Sequence, residues 1–481
     1  MKFSARLLSD EERARVHGES LKILEQIGVK LHSPKALELL GSNGAKIDRD
    51  SGVARIPQEM VDAALESAPK SFVLGARNPD HDFALPAQQS GYNLDAGGMH
   101  FLDFRSGERR PGLFQDHVDM LRVFEQMSMG NIVWTHSVED VPDHRLATVR
   151  MSLDTLKHSS KHLQDELLFP EEVPYLMEGL EALLGSEEEV RRRKIYSVCY
   201  CTIPPLTHDK HMCEAYLELG KYEVPILLLP MNAPGTSSPA SLYSTLAVSN
   251  AENLSSLVLF QIANPGCPII YGDANLATDF RTGNFLCGAP EMVVQTGGMG
   301  EMARFYGLPN EQGGCLSDAL ELGPQAVMEK MLTTLPLVLS GVDVVQGMGA
   351  IENSNTVALE QIVVDNEIAL QCRTIREGID VSERTAMYEE IARTGPGGMF
   401  LDSEITVQAC RSGAFYESGL VNRAGFDAWV QLGRPDMYSK AREIVEEILA
   451  SAPQHPLSDD QAGKLDEIIR RIDRRGAAEK Q

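Results

Sequence analysis

The sequence predicts an α/β protein of the (β/α)8 class, the TIM barrel, with helical segments on both sides of the barrel. Helical stretches alternate with short apolar stretches over about 250 residues, and seven of the apolar stretches have the length of buried strands. Alternation of this kind indicates a parallel sheet with helices outside it. Seven strands, with a poorly marked eighth after residue 372, suit a closed barrel. An open doubly wound sheet also fits, because periodicity does not show closure.

Residues 1–112 are predicted to form an extension of helices and a β-hairpin before the barrel. Apolar residues recur there at helical spacing: Leu21, Leu24, Ile27 and Leu31. Ser33 and Pro34 are typical of the N-cap and first position of a second helix. The stretch "GYNLDAGGMHFLDFRSGERRP", with its glycine-rich connections, predicts the hairpin.

Residues 113–400 are assigned to the barrel. Helices are predicted near 116–128, 143–157, 172–184, 208–220, 239–263, 290–306, 324–340 and 356–372. The strands between them are "NIVWTH", "KHLQDEL", "KIYSVCYCTI", "VPILLLP", "CPIIYG", the weak "GLPNEQGGC" and "DVVQGMG". Residues 401–481 are predicted to be a C-terminal helical segment, in which "DMYSKAREIVEEILASAP" is the clearest helix.

Net charge, apolar runs and cysteine spacing indicate which kinds of partner and which cellular compartment to expect. The formal net charge is −25, and a field of that sign repels phosphate backbones, so no nucleic-acid partner is expected. No stretch approaches the roughly 20 apolar residues that span a bilayer, and the N-terminus lacks the apolar core of a signal peptide. Eight cysteines without a framework spacing suit reduced thiols. The sequence therefore predicts a cytoplasmic protein without a membrane partner, and a barrel of this size is compatible with a homo-oligomer.

The strand "CPIIYG" ends by presenting a tyrosine and an aspartate. Alternation places Ile269, Tyr271 and Asp273 on one side of this strand. Active sites of barrels lie at the carboxyl ends of the strands, so Tyr271 and Asp273 are predicted to stand at the mouth. The alternative is that Tyr271 packs in the core and Asp273 caps the following turn.

Two cysteines, Cys199 and Cys201, share one face of a predicted strand, and His208 and His211 follow. Thiolates and imidazoles bind zinc, and a zinc-dependent thiol methyltransferase is therefore one alternative function. Two prolines separate the cysteines from the histidines, and cysteine pairs on buried strands usually pack as small core residues. No metal is therefore expected.

Several longer stretches resemble the trimethylamine methyltransferase family. They include "SLKILEQIGVKLHSPKALELLGSNGAKID", "IPQEMVDAALESAPKSFVLGARNP", "PPLTHD", "AENLSSLVLFQIANPGCPIIYG", "GAPEMVVQTGGMGEMARFYGLPNEQGGCLSDALELGPQAVMEK" and "LEQIVVDNEI". The likeness covers nearly the whole chain in the same order, and "NPGCPIIYG" and "ARFYGLP" are its most specific parts. One departure lies at "SEITVQACRSGAFYESGLVNR", where the family pattern has histidines and this chain has none.

The resemblance implies a barrel that moves a methyl group from an amine to the Co(I) of a separate corrinoid protein. The corrinoid (cobalamin) then belongs to a cognate partner, and no tightly bound cofactor is expected. Archaeal trimethylamine members carry pyrrolysine, and the sequence contains none. Members without it are suited to quaternary amines, so glycine betaine is the expected donor, with proline betaine or carnitine as alternatives. A non-catalytic betaine-binding barrel is an alternative from another class.

The chemistry of a quaternary amine suggests which residues bind it. The positive charge on nitrogen fades as the methyl group leaves, so a carboxylate tight against it would stabilise the ground state more than the transition state. An aromatic ring binds the cation more gently, with about 0.5–2 kcal/mol per ring. A cage of rings is therefore predicted, with acidic groups such as Asp273 farther out; its candidates are Tyr92, Phe101, Trp134 and Tyr271.

The carboxylate of a betaine needs hydrogen-bond donors. The candidates near predicted strand ends are His136, Gln164, Thr202, Asn232 and Gln346. Each of them has the alternative of packing or of capping a loop. No catalytic residue is assigned, because the departing tertiary amine is neutral and needs no proton.

Overall fold

Eight parallel strands form a closed barrel in the computed structural model, which describes residues 3–142 and 144–479. In chain order the barrel strands are β1 (Gly91–Leu94), β2 (Gly130–Val133), β3 (His162–Asp165), β4 (Tyr196–Tyr200), β5 (Ile226–Leu228), β6 (Ile269–Asp273), β7 (Asn310–Gly313) and β8 (Val344–Met348). The ring closes where β8 pairs with β1 and Val344 lies opposite Gly91. The barrel prediction is confirmed, and the open sheet is excluded.

Helices surround the barrel and extend the chain on both sides of it. They are α1 (Asp10–Lys22), α2 (Pro34–Ser42), α3 (Gln58–Ser67), α4 (Phe114–Glu125), α5 (Ala147–His158), α6 (Val173–Leu184), α7 (Glu187–Arg193), α8 (His211–Leu219), α9 (Leu242–Ala263), α10 (Pro290–Phe305), α11 (Pro324–Ser340), α12 (Leu359–Glu377), α13 (Tyr388–Thr394), α14 (Glu404–Arg411), α15 (Phe426–Gln431), α16 (Met437–Ala450) and α17 (Asp459–Glu479). At least one helix follows every barrel strand. The eight helices and seven strands predicted for the barrel region are confirmed; residue 143, at which one helix was predicted to begin, lies outside the described residues.

The eighth strand lies elsewhere than predicted. It is β1, in the stretch that the sequence assigned to a hairpin, and in the described residues no strand follows α12. The hairpin exists but is shorter, with arms at His100–Leu102 and Arg109–Pro111. Four residues of strand beside a glycine-rich stretch look like one hairpin arm, because pairing with a distant strand leaves no local pattern. The barrel therefore begins at residue 91, inside the segment 1–112 that was assigned to the extension.

The N-terminal extension contains strands as well as helices. Val29–Leu31, Lys46–Asp48 and Val53–Arg55 form a small sheet, and Thr207–His208 from the loop after β4 pairs in parallel with the first of them. This pairing attaches the extension to the barrel. Ser33 caps α2 as predicted, since its hydroxyl accepts a hydrogen bond from the Ala36 N–H at 3.1 Å.

The amino end of the barrel is closed by the hairpin of Phe72–Leu74 and Phe83–Leu85. Leu74 and Leu85 belong to the same buried apolar cluster as the interior residues of the strands. A Cβ atom at Gly91 would lie 2.7 Å from the Phe83 ring, so this strand needs a glycine where the hairpin enters.

The carboxyl end of the barrel carries two small sheets built from the loops that follow the strands. One consists of His100–Leu102, Arg109–Pro111, Ala350–Ile351 and Thr356–Val357, and the other of Ala277–Thr278 and Phe285–Leu286. Farther along the chain, α16 packs on α12, and α17 packs on α5 and α6. Within the described residues no helix has both the length and the apolar character needed to cross a membrane.

Candidate active site

Two apolar clusters show which face of seven of the barrel strands points inward, and hydrogen bonds show it for β7. Ile132, Cys199, Leu227, Ile270 and Val344 pack together inside the barrel. Their neighbours in the strands pack outward, in the large core between the barrel and the helices. The interior is therefore lined by alternate residues of each strand, and the polar residues among them define the candidate site.

The centre of the interior is a carboxylate, that of Glu311 in β7, which is fully buried. Its Oε1 accepts hydrogen bonds from Asn93 Nδ2 at 2.6 Å and Gln346 Nε2 at 2.8 Å, and its Oε2 accepts one from Gln164 Nε2 at 3.1 Å. These amides come from β1, β8 and β3, so side chains from four strands meet at one acid. Asn93 is held in turn by the Gly347 N–H, which donates to its Oδ1 at 3.3 Å.

Glu311 has an unusual electrostatic environment for an acid. Burial raises the pKa of Glu311 to about 7, although the three amide hydrogen bonds oppose the shift. Within the described residues no lysine, arginine or histidine forms an ion pair with it. A buried carboxylate without a cation is costly unless hydrogen bonds or a bound partner compensate it. The site can therefore accept a positive charge.

Cys199, Cys201 and Glu166 form a second polar group in the same interior. The two sulfur atoms are 3.8 Å apart, and the Cys201 thiol donates to Glu166 Oε1 at 3.5 Å. Burial, with contributions from the charges of Glu166 and Glu311, raises the pKa of the Cys199 thiol well above its usual range. The negative charges of both acids therefore disfavour the thiolate form of Cys199.

The two histidines considered as partners for these cysteines lie elsewhere. His208 is on the outer side of the strands, where its ring contacts the Tyr200 hydroxyl at 2.9 Å and the Ser255 hydroxyl at 3.0 Å. His211 begins α8 and packs on Phe169. The third side chain near the two cysteines is that of Glu166, which comes directly after β3. Glu166 was not among the predicted site residues; an acid inside the predicted strand "KHLQDEL" was the available signal.

Two of the four members of the predicted aromatic cage, Tyr92 and Tyr271, are contradicted. The Tyr271 hydroxyl donates to Asn250 Oδ1 of α9 at 2.7 Å, and Tyr92 lies in the outer core near Cys372 and Arg376. Both rings therefore point away from the interior. Alternation does not say which set of residues faces inward, and a shift of one residue exchanges the two faces.

Trp134 is the member of the predicted cage that packs inside the barrel. It follows β2, belongs to the interior apolar cluster and is 4% exposed. Its indole N–H has no hydrogen-bond partner within the described residues. The ring thus offers both an apolar face and an unused donor.

Phe101, which lies in the hairpin that follows β1, packs on His136 beside the interior. Their ring centroids are 6.0 Å apart, and the His117 ring lies 6.0 Å from His136 on another side. Burial lowers the pKa of His136 to about 4, against the effect of nearby carbonyls of Trp134 and Asp95. His136 is therefore neutral at pH 7.

Thr202, Asn232 and Asp273 also have structural roles in place of the predicted ones. Thr202 Oγ1 and Asn232 Nδ2 both donate to Glu252 Oε2 of α9, at 2.7 and 3.1 Å. They fasten the loops after β4 and β5 to that helix. Asp273 accepts a hydrogen bond from the Asn275 N–H, as expected of a residue that caps the turn, and burial raises its pKa well above the usual range. Of the predicted donors, Gln164 and Gln346 lie at the candidate site.

The fold and this cluster together define a TIM-barrel protein with a polar site inside the barrel. A family model described as "Trimethylamine methyltransferase (MTTB)" matches residues 3–477. The chain belongs to this family, and it is a methyltransferase.

Relatives of known name agree with the family. A trimethylamine methyltransferase MttB of Methanosarcina thermophila is 30% identical, covering 94% of this chain and 95% of the relative. A glycine betaine methyltransferase of Desulfitobacterium hafniense (strain Y51) is 27% identical and covers 96% of each chain. Among solved structures, the monomethylamine methyltransferase MtmB of Methanosarcina barkeri superposes with a TM-score of 0.51 at 9% identity, covering 98% of this chain and 89% of that one. This last likeness concerns the fold alone.

Proposed function

We propose that this enzyme demethylates a quaternary amine, with glycine betaine as the first choice, and passes the methyl group to the Co(I) of a cognate corrinoid protein. In this reaction the C–N bond breaks, its electron pair stays on nitrogen, and a neutral tertiary amine leaves. The observation that carries the proposal is Glu311, a buried acid that three amides hold and that no cation of the described residues neutralises. The substrate would supply the missing charge.

The arrangement around Glu311 suits a cation that has no N–H groups. The three amides already occupy much of the hydrogen-bonding capacity of the carboxylate. A primary ammonium would bring three more donors that need acceptors, whereas a quaternary ammonium brings charge alone. The interior favours the quaternary ion for this reason.

The amides also reduce the penalty that a carboxylate places on the chemical step. Hydrogen bonds from Asn93, Gln164 and Gln346 spread the negative charge of Glu311 away from the ligand nitrogen. Attraction for the ground state is then weaker than that of a bare carboxylate, so less of it has to be lost as the methyl group departs. The acid replaces the predicted cage of rings, and Trp134 adds one aromatic face.

A donor for the carboxylate of a betaine is present in Trp134. Its indole N–H is buried and unpartnered in the described residues, and an unpaired buried donor costs about 1–3 kcal/mol. A carboxylate oxygen of the substrate that accepts this hydrogen bond would recover that cost. Glu311 and Trp134 would then bind the two ends of a betaine.

The mouth of the barrel has the surface expected for a protein partner. Exposed apolar side chains follow six of the eight strands: Met99, Leu168, Ile203, Met231, Phe280, Phe285 and Leu320. Exposed apolar groups gathered around one opening mark a contact surface. A corrinoid protein docked there would present its cobalt to the interior.

The test incubates the enzyme and a reduced corrinoid protein with glycine betaine, proline betaine, carnitine and trimethylamine, and follows methyl-Co(III) by absorbance and demethylated amine by mass spectrometry. We expect product from a betaine and at least tenfold less with Glu311→Gln. Asp273→Asn is the matched control, because it neutralises a buried acid that faces outward on the neighbouring strand. Absence of methyl-Co(III) with every amine, or full activity of Glu311→Gln, would refute the proposal.

A further inference from the structure

We propose that Glu166, Cys199 and Cys201 bind a zinc ion at the mouth of the barrel. This inference goes beyond the proposed function, since a tertiary amine leaves without the help of a metal. The three side chains each place one ligand atom within 4.8 Å of the others. Their separations, chemistry and access all match a zinc site.

The two separations that involve Cys201 agree with tetrahedral coordination. Zinc–sulfur bonds of about 2.3 Å at the tetrahedral angle place two thiolates about 3.8 Å apart, and a zinc–oxygen bond of about 2.1 Å places a carboxylate oxygen about 3.6 Å from a thiolate. The observed separations are 3.8 Å between the sulfurs and 3.5 Å between Cys201 Sγ and Glu166 Oε1. A disulfide would need about 2.05 Å, and both thiols are free.

The fold preorganises these ligands on two neighbouring strands. Strands β3 and β4 pair in parallel, with Asp165 opposite Val198. Glu166 and Cys199 each come one residue after this pair, and Cys201 stands two residues beyond Cys199 on the same inward face. The Glu166 N–H donates to Asp165 Oδ1 at 2.8 Å, which fixes the turn that carries the carboxylate.

The ligand set selects for zinc among the common divalent ions. Thiolates favour zinc and other thiophilic metals, whereas magnesium and calcium prefer oxygen. Within the described residues no fourth histidine, cysteine or acid joins the group. Cys199 is buried, but Cys201 and Glu166 are half-buried, so one side of the group faces the mouth. Three protein ligands leave the fourth position of a tetrahedral zinc free for water or another small ligand.

The experiment measures metal directly. The purified full-length enzyme is stripped with a chelator, dialysed against zinc, freed of excess metal and analysed by mass spectrometry for zinc per chain. We expect about one zinc per chain, and at least a tenfold loss in Cys199→Ser and Cys201→Ser. Cys213→Ser is the control, because it removes a buried thiol of α8 that lies outside the group. Loading with Co(II) should give thiolate-to-metal charge-transfer absorption in the wild type and the control only.

Two outcomes would overturn the inference: less than a tenth of a zinc per chain in the wild type, or full zinc content in Cys201→Ser. The zinc content of the wild type is measured without any variant, so the inference can be refuted even if a mutant misfolds. Zinc content is also independent of turnover. If the metal-free enzyme still forms methyl-Co(III), the proposed function stands and the zinc measurement alone decides this inference.

Discussion

Two buried acids, Glu311 and Asp365, differ in how their charge is compensated. Asp365 lies between the barrel and the helices, and its Oδ2 accepts from Lys330 Nζ at 2.8 Å with both side chains fully buried. Glu311 lies inside the barrel and has amide partners only. The charge of Asp365 is therefore neutralised within the protein by Lys330, as in a structural ion pair. The charge of Glu311 has no such partner in the described residues, so a cationic ligand can neutralise it.

The largest effect is expected when the Asp365 pair is broken. Lys330→Met leaves a buried carboxylate without its cation, which should lower the free energy of unfolding by about 3–5 kcal/mol. Lys330 Nζ also donates to the carbonyls of Cys315 and Gly347, and these bonds are lost too. Urea unfolding followed by circular dichroism measures the change. A loss below about 1 kcal/mol would show that the pair is not structural.

Glu311→Gln should behave in the opposite way. The substitution removes a buried charge that has no counter-ion, so we expect the free energy of unfolding to stay within about 1 kcal/mol of the wild type or to rise. Affinity for a quaternary amine should nevertheless fall at least tenfold, which corresponds to about 1.4 kcal/mol. Urea unfolding and calorimetric titration, done on the same preparation, separate the two effects. Large destabilisation with intact binding would reverse the roles assigned to the two acids.

The pH dependence of binding should follow the pKa of Glu311, which is about 7 in the folded protein. A cationic ligand binds the ionised acid, so affinity should rise with pH through 7 and level off above it. Below 7 it should fall by up to tenfold per pH unit, and binding should release a proton. Calorimetry in buffers of different ionisation enthalpy counts that proton. Glu311→Gln should show neither effect, and a wild type with pH-independent affinity would contradict the assignment.

The raised pKa of Glu311 also determines how the free energy of unfolding of the ligand-free protein depends on pH. The carboxyl of Glu311 ionises near its ordinary value in the unfolded chain and near 7 in the folded one. Its contribution to stability is therefore fully present below the unfolded pKa and is lost as pH rises toward 7. A bound cation would offset this loss at neutral pH.

The contrast between inward and outward faces also explains what the sequence could predict. Most of the seven predicted strands were recognised because apolar runs between helices are local patterns. The inward residues of β6 are Ile270 and Gly272, whereas Tyr271 and Asp273 were expected there, because the facing of a strand depends on neighbours that alternation does not identify. The sequence of the strand alone therefore could not show which of its two faces points into the barrel.

Glu311 was missed for a related reason. It lies in "PNEQGG", a polar stretch that gives only a weak strand signal. Its partners Asn93, Gln164 and Gln346 are 218, 147 and 35 residues away in the chain, so their convergence is a property of the closed barrel. An acid inside a predicted buried strand was the available signal. Gln164 and Gln346 were among the predicted candidates because each lies near the end of a better-marked strand.

The smallest expected effect concerns Trp134, which is proposed to bind the opposite end of the ligand from Glu311. Trp134→Phe keeps an aromatic ring and removes the indole N–H, so binding of glycine betaine should weaken by about 1 kcal/mol, or roughly fivefold. Choline, which has the quaternary nitrogen but no carboxylate, should bind this variant as it binds the wild type. The chain has two tryptophans, and the other, Trp429, donates to the Pro435 carbonyl outside the barrel. In Trp429→Phe, quenching of the remaining fluorescence by glycine betaine would therefore report on Trp134 alone. Equal losses for betaine and choline in Trp134→Phe would show that the indole acts on the cation, as the Glu311 end does, and not on the carboxylate.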